Sequence, residues 1–340
     1  MRRIVLTSLA VLFVLSSVRA QEKQSVKDHF DKAAAYLREQ KYDLALSELD
    51  LVIQMNARYA PAYGLRGNLR LIRQEFDLAL ADYNKIIELA PNIPGIHQIY
   101  NNRGVILALK GDGAGAIKDF DKAIAISPGY AEAYSSRGFQ KQEAGDLNGA
   151  LADFNKSISL NPGKSDPYEG RGLIRSYGGD LTGALTDYNK AIELNPNRPA
   201  AYADRAILEF KKGDLDAALS DYNKVLELTP RHTEAQLERG LVRVLKGQVT
   251  EGLADLKNSF AADPTAFEQT RKPPFVNPAM ELEHFINANP KNARGYEARG
   301  IVRFMQGKTE ESEKDFQKTL SLNPSLKAEI EMLRTNLRRP

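Results

Sequence analysis

The pair Arg-Gly returns at a fixed interval through this chain: Arg103-Gly104, Arg137-Gly138 and Arg171-Gly172, then Arg205-Ala206 and Arg239-Gly240, each 34 residues after the last. The register reaches back to Arg66-Gly67 across a three-residue insertion around Ile93-Pro94-Gly95, and forward to Arg299-Gly300 across an insertion of 26. A sequence with such a period does not build one central core. It builds a row of similar small units, each burying its apolar face on its neighbours. The copy beginning at Ala131 shows the unit. With Ala131 as position 1, Tyr134 falls at 4, Arg137-Gly138 at 7 and 8, Gly145-Asp146 at 15 and 16, and Ala150 at 20. Asp153-Phe154 follow at 23 and 24, and Asn161-Pro162 at 31 and 32.

Each place has a physical reason. A glycine such as Gly145 accepts the left-handed backbone that ends a first helix. Ala184, Tyr188 and Ala191 are spaced i, i+4, i+7, which makes one apolar stripe on a second helix. Gly172 is expected to face small Ala184 so that the two helices approach closely, and a bulkier residue there overpacks by about 1–3 kcal/mol. Pro196 cannot continue the second helix and opens the next unit.

The unit resembles the tetratricopeptide repeat, whose pattern places a large aromatic at position 4, glycine or alanine at 8, alanine at 20, an aromatic at 24, alanine at 27 and proline at 32. Clear copies start near Ala60, His97, Ala131, Ser165, Pro199, Thr233 and Ala293. A weaker first copy starts near Val26, with Ala33, Tyr36 and Ala45 in register but Leu49 at the aromatic place and Ala57 in place of the proline. The resemblance implies an all-α fold, a right-handed α-solenoid of about eight helix-turn-helix repeats with a concave groove lined by the first helices. The stretch Leu326 to Leu337 reads as its C-terminal cap helix. On that reading 1–20 is a signal peptide, 26–264 holds repeats 1–7, 265–292 is an insertion or degenerate repeat, 293–326 is repeat 8 and 327–340 is the cap helix. Within the insertion, Lys272-Pro273-Pro274-Phe275 excludes a regular helix, whereas Pro278 to Asn289 reads as one helix. It is either the remnant of a repeat that lost its first helix or an element directed toward the groove.

At position 7, where leucine is usual in the family, arginine stands here, and an aspartate follows sixteen residues later. The pairs are Arg66/Asp82, Arg103/Asp119, Arg137/Asp153, Arg171/Asp187, Arg205/Asp221, Arg239/Asp255 and Arg299/Asp315. In the weak first copy Lys32/Glu48 changes both residues and keeps both signs. That covariation inside one chain predicts contact, because a basic stripe for an anionic ligand does not require an acid to track each base. Arginine holds a carboxylate through two parallel hydrogen bonds, so the pairs are read as a structural ladder, with Arg175 contributing less than Arg171.

The first twenty residues read as a cleavable secretory signal: Arg2 and Arg3, an apolar run from Ile4 to Leu15, and Val18-Arg19-Ala20 before a cut at Gln21. The run is short of the ~20 residues that span a bilayer, and no later run approaches that length, so no membrane span is expected after cleavage. A long exported chain with no cysteine fits the periplasm or cell surface of a Gram-negative bacterium. The chain carries 47 Lys+Arg against 44 Asp+Glu. Arg2, Arg3 and Arg19 account for the excess, and the neutral remainder gives no case for a nucleic-acid partner.

The absence of cysteine excludes disulfides, cysteine-ligated metals and thiol nucleophiles. His29, His97, His232 and His284 are scattered, with no HExxH and no i, i+4 pairing, so neither a metal nor a cofactor is expected. Gly307-Lys308-Thr309 looks like the end of a phosphate-binding loop, but Val302 stands where that loop needs its first glycine. No catalytic constellation remains, and the chain is expected not to be an enzyme. In the family's geometry the groove carries Asn68, Asn102, Phe139, Gln142, Glu143, Glu169, Ser176, Tyr177, Phe210, Lys211 and Phe304. These vary from copy to copy, as a ligand surface does, and aromatics beside isolated polar groups suit a peptide or extended segment. Asn68 and Asn102 match two asparagines of the clamp by which co-chaperone repeats grip a terminal carboxylate, but Gly64, Glu132 and Ser136 break it. The expectation is an exported scaffold for protein segments. The alternative is an accessory factor of an envelope polysaccharide or secretion machine that holds a glycan or a secreted enzyme. The sequence leaves the oligomeric state open.

Overall fold

The computed structural model describes residues 23–265 and 278–337. The leader and Lys272 to Phe275 lie outside these. Among the described residues all regular structure is helical, and no helix is long and apolar enough to cross a membrane. The chain divides into two compact units, residues 1–161 and 162–340. In the first, α1 (23–38) and α2 (Tyr42–Met55) are followed by α3 (Ala60–Ile72), α4 (Phe76–Leu89), α5 (Ile96–Leu109), α6 (Gly113–Ile126), α7 (Ala131–Glu143) and α8 (Leu147–Leu160). In the second, α9 (Asp166–Tyr177), α10 (Leu181–Leu194), α11 (Pro199–Lys212), α12 (Leu215–Leu228), α13 (Thr233–Leu245) and α14 (Val249–Ala262) continue the pattern. Then come α15 (Pro278–Ala288), α16 (Ala293–Met305), α17 (Thr309–Leu322), a short 3-10 turn at Pro324–Leu326, and α18 (Lys327–Leu337). Each unit is an α-solenoid of antiparallel helix pairs, in which each first helix also packs on the second helix of the preceding pair.

Local chemistry sets the hairpins. The first helix ends where position 15 takes a left-handed backbone, at Gly111, Gly145, Gly179, Gly213, Gly247 and Gly307 with φ between 77 and 84°. Glutamine adopts it at Gln40 and Gln74. One residue later an aspartate caps the second helix. Asp112, Asp146, Asp180 and Asp214 each accept a hydrogen bond from the backbone N–H three residues on, satisfying one orphan donor of the first turn.

The glycine at position 8 explains how closely the paired helices pack, and the nearest group it makes room for is a ring. A Cβ on Gly172 would lie 3.0 Å from the Tyr188 ring and 3.2 Å from Asp187 Cβ. The atoms nearest to it therefore belong to the aromatic at position 24 and to Asp187, ahead of Ala184. The ring also comes nearest for Gly67 on Tyr83, Gly104 on Phe120, Gly138 on Phe154 and Gly300 on Phe316, at 2.7 to 2.8 Å, and at Gly104 the backbone oxygen of Ala116, at position 20, follows at 3.2 Å. Those rings are buried and fill the space between helices. In the copy at Pro199, Ala206 occupies the place and is fully buried.

The end of the second unit departs from a simple stack. Arg198, just before α11, reaches Asp166 at the start of α9, so α9 and α11 begin at the same end. By contrast the Arg294 guanidinium, at the start of α16, lies over Gly247 just past the end of α13. α15 lodges Phe285 against Phe210 of α11, with ring centroids 5.7 Å apart and planes at 25°. α18 packs on α16, burying Ile330, Leu333 and Leu337.

Candidate functional site

The position-7 arginines sit over half-buried ground, each facing a carboxylate that is almost wholly buried. In Arg66, Arg103, Arg137, Arg171, Arg205, Arg239 and Arg299, Nε and Nη2 donate to the two oxygens of Asp82, Asp119, Asp153, Asp187, Asp221, Asp255 and Asp315, over 2.6 to 3.0 Å. This is the fork geometry that a guanidinium presents to a carboxylate. The remaining edge reaches into the preceding copy: Arg66 Nη1 to Asp50 (2.6 Å), Arg103 to Asn84 (2.7 Å), Arg205 to Asn189 (2.6 Å) and Arg239 to Asn223 (3.1 Å). Arg66, Arg103, Arg205 and Arg239 thus each tie one helix pair together and to the one before. The hydrogen bonds to Asp119, Asp153 and Asp221 hold Arg103, Arg137 and Arg205 above the ordinary arginine pKa.

Three parts of this network go beyond the sixteen-residue pairing. The acceptor at position 25 is readable in the sequence as a recurring Asp or Asn, but pairwise comparison with position 7 overlooks it. A second cation, four residues after the first, also binds the buried aspartate: Arg70 on Asp82, Lys141 on Asp153, Arg175 on Asp187, Arg243 on Asp255 and Arg303 on Asp315. Arg175 is therefore a partner of Asp187, 2.8 Å away, and not a bystander. Finally, the guanidinium stacks on the tyrosine three residues earlier, for example Arg66 over Tyr63 at 5.5 Å and Arg299 over Tyr296 at 5.4 Å. In the weak first copy Lys32 is exposed, and Glu48 is bridged by His29. The shorter imidazole, closer along the helix, takes the place assigned to the lysine.

In the unit 1–161, Asn68 Oδ1 accepts hydrogen bonds from Tyr83 Oη (2.7 Å) and Asn102 Nδ2 (3.0 Å). The two asparagines lock neighbouring first helices to each other, which spends part of their capacity for a ligand. Phe139 packs edge-on against Phe154 at 4.8 Å. Gln142 is half-buried, its Oε1 sealed from water without a hydrogen-bond partner, and Glu143 is exposed. At position 13 of successive copies Ile72 and Leu109 are 63% and 65% exposed.

In the unit 162–340 the corresponding face is largely occupied. Glu169 is held by Arg198; Ser176 is half-buried and Tyr177 exposed. Phe210 is only 4% exposed because Phe285 covers it, so it is not open to a ligand as the family geometry implied. Leu241, Val244 and Leu245 of α13 are buried, and Phe304 packs into the same apolar cluster. Lys211 lines a cavity of about 570 Å³ with Phe210, Lys212, His284, Phe285 and Asn289. Arg299 finds its third acceptor in Glu283 of α15 at 2.7 Å. α15 thereby stands toward α16 as the second helix of a preceding repeat would. Glu297, wholly buried between Arg294 and Glu329, is pushed up to about 7 by burial, against the pull of Arg294. Among the described residues no cluster of His, Asp and Glu is placed to hold a metal ion.

Helix pairs of this length, with a left-handed turn, an interhelix ring against glycine and one pair per 34 residues, define an all-helical repeat protein. Family models described as tetratricopeptide repeats match residues 60–93, 97–130 and 203–266, and a TPR repeat model matches 172–213. The chain is a tetratricopeptide-repeat protein, a class that mediates protein–protein interaction. Among curated proteins it is similar to RNA polymerase II-associated protein 3 of Homo sapiens, 37% identical over 62 residues. The counterpart in Xenopus tropicalis is 40% identical over 62 residues. Each match covers 18% of this chain and 9% of the relative's length. Among solved structures, pilF of Pseudomonas aeruginosa superposes with a TM-score of 0.55 at 16% identity, over 64% of this chain and 97% of that one. PilW, described as a type IV pilus biogenesis factor, gives 0.53 at 18% over 61% and 94%. A tetratricopeptide repeat protein from Parabacteroides merdae gives 0.50 at 20% over 82% and 99%. Likeness at these identities speaks for the fold.

Proposed function

We propose that this chain is a non-enzymatic scaffold that binds extended protein segments on the first-helix face of residues 1–161, in the cell envelope. One observation carries the reading: the arginine–aspartate skeleton is the same in every clear copy, whereas the first-helix positions differ and leave Ile72 and Leu109 in water. Large apolar side chains held exposed on rigid, neighbouring helices supply the anchors that a partner segment needs. The envelope placement rests on the leader, with Gln21 as the first residue of an exported protein in the periplasm or at the surface of a Gram-negative cell. The alternative, an accessory factor of an envelope polysaccharide or secretion machine, draws on exposed Tyr177, an aromatic face of the kind that stacks on a sugar ring.

Affinity capture from envelope extract, read by mass spectrometry, tests the first reading. The wild type should retain a protein that the double variant Ile72→Glu, Leu109→Glu loses, with helical content unchanged. Equal capture by both would contradict it. Retention of purified envelope glycans by the wild type, lost in Tyr177→Ala, would favour the alternative.

A further inference from the structure

Where α18 begins, one cation serves two carboxyls. Arg294, at the start of α16, donates through a single guanidinium nitrogen, Nη1, to Glu297 Oε2 on its own helix and to Glu329 Oε1 on α18. Glu297 is wholly buried, whereas Glu329 is partly exposed. Oε1 of Glu297 is sealed from water and receives no donor. The Glu329 carboxyl lies close enough to share a proton with Glu297. Most other charges on the helices packed against α16 are engaged elsewhere. α15 turns Glu283 to Arg299 and Arg303 and leaves His284 exposed. α17 turns Asp315 to the same two arginines and Glu313 to Arg334. On α13, Arg239 and Arg243 hold Asp255, and Glu238 is buried.

We propose that Glu297 and Glu329 form a proton-operated latch, which closes α18 onto α16 while the pair holds one proton and loosens it when both are charged. With the proton present, the Glu297 carboxyl donates to Glu329, whose charge pairs with Arg294, and the cluster is neutral. Without it, two carboxylates share one guanidinium, and one of them is a buried charge. The cost falls on α18. Moving α16 would break the bonds of Arg299 and Arg303 to Asp315, whereas moving the start of α18 uncovers Ile330 and frees Glu329. The far end of α18 keeps its own anchors, the Arg334 bridge to Glu313 and a hydrogen bond from Lys257 to the Asn336 carbonyl. Opening therefore begins at Lys327 to Ile330. The sense of the pH response follows from the buried carboxyl. Burial raises Glu297 from 4.5 to about 7, with Arg294 opposing and Glu329 adding to it. A raised folded value means that closure is fully favoured below 4.5 and is lost as the pH rises through 7.

Amide hydrogen exchange of the purified protein, read by mass spectrometry on peptides covering α18, tests the latch. Comparing wild type with Glu297→Gln at one pH cancels the intrinsic pH dependence of exchange. At about pH 5.5, where the wild type keeps its proton, α18 should be protected alike in both. At about pH 8.5, α18 of the wild type should exchange at least roughly tenfold faster than α18 of Glu297→Gln. The helices α10 and α12 should exchange alike in the two proteins. Glu329→Gln, at a partly exposed place, leaves Glu297 alone with Arg294 and should restore protection at the higher pH as well, which keeps the test intact should Glu297→Gln fold poorly. Equal protection of α18 in wild type and variants at about pH 8.5 would overturn the proposal. So would a loss spread evenly over the helices of the unit 162–340, which marks general destabilisation without a latch.

Discussion

The two units are built on one skeleton and differ in what covers their first helices. At position 13 the unit 1–161 leaves Ile72 and Leu109 in water. At the same position of α13, in the unit 162–340, Leu245 is buried beneath the chain's own later helices. Phe210 tells the same story one position earlier, sealed by Phe285. A repeated frame therefore does not make a repeated surface. The ion-pair ladder fixes the helices in both units, and the exposed face is free to be spent on a partner in one place and on the chain itself in another.

The sharpest way to break the comparison is to attack the shared frame. Asp187 is buried and receives both Arg171 and Arg175, so Asp187→Ala strands two cations and should cost about 3–5 kcal/mol. Asp119→Ala, in the other unit, strands only Arg103 among the arginines and should cost less in urea unfolding. Equal losses would mean that the second cation is incidental. Next in size is Gly138→Ala: its Cβ would stand 2.8 Å from the Phe154 ring, at an expected cost of about 1–3 kcal/mol by overpacking. A neutral result would show that the Phe154 ring yields to a methyl group, at the place where Ala206 stands in another copy.

A smaller effect separates the units by pH. Glu297 has its folded pKa raised from the ordinary glutamate value to about 7, so the folded state holds its proton more tightly than the unfolded chain. Its stabilising share is present below the unfolded value of 4.5 and is lost as the pH rises toward 7. The unit 162–340 should therefore lose stability across that interval, and Glu297→Gln should flatten the slope. An unchanged pH profile in Glu297→Gln would show that the slope arises elsewhere.

The repeat was legible because its signals are local. Glycine at a left-handed turn, the alanine and aromatic at fixed places on the second helix, and aspartate ahead of the second helix all act within one unit of sequence. The pairing of Arg171 with Asp187 was legible for a second reason: the two types recur together at one spacing. What escaped depends on geometry that no single spacing encodes. Gly172 meets Tyr188 ahead of Ala184 because a large ring sweeps across several ångströms from its own Cα. Arg175 reaches Asp187 because a long side chain one turn away points to the same carboxylate. The cover over Phe210 comes from Phe285, seventy-five residues later, after the period has been interrupted.

The central claim, that one unit offers its first-helix face to a partner while the other has spent much of it internally, meets its most direct test in a paired binding measurement. A segment recovered by capture would be titrated against Ile72→Glu, Leu109→Glu and, separately, against Phe285→Ala. The account predicts at least a tenfold loss of affinity in the first variant and less than a twofold change in the second. Affinity that survives the first and collapses in the second would place the binding face in the unit 162–340 and contradict the account.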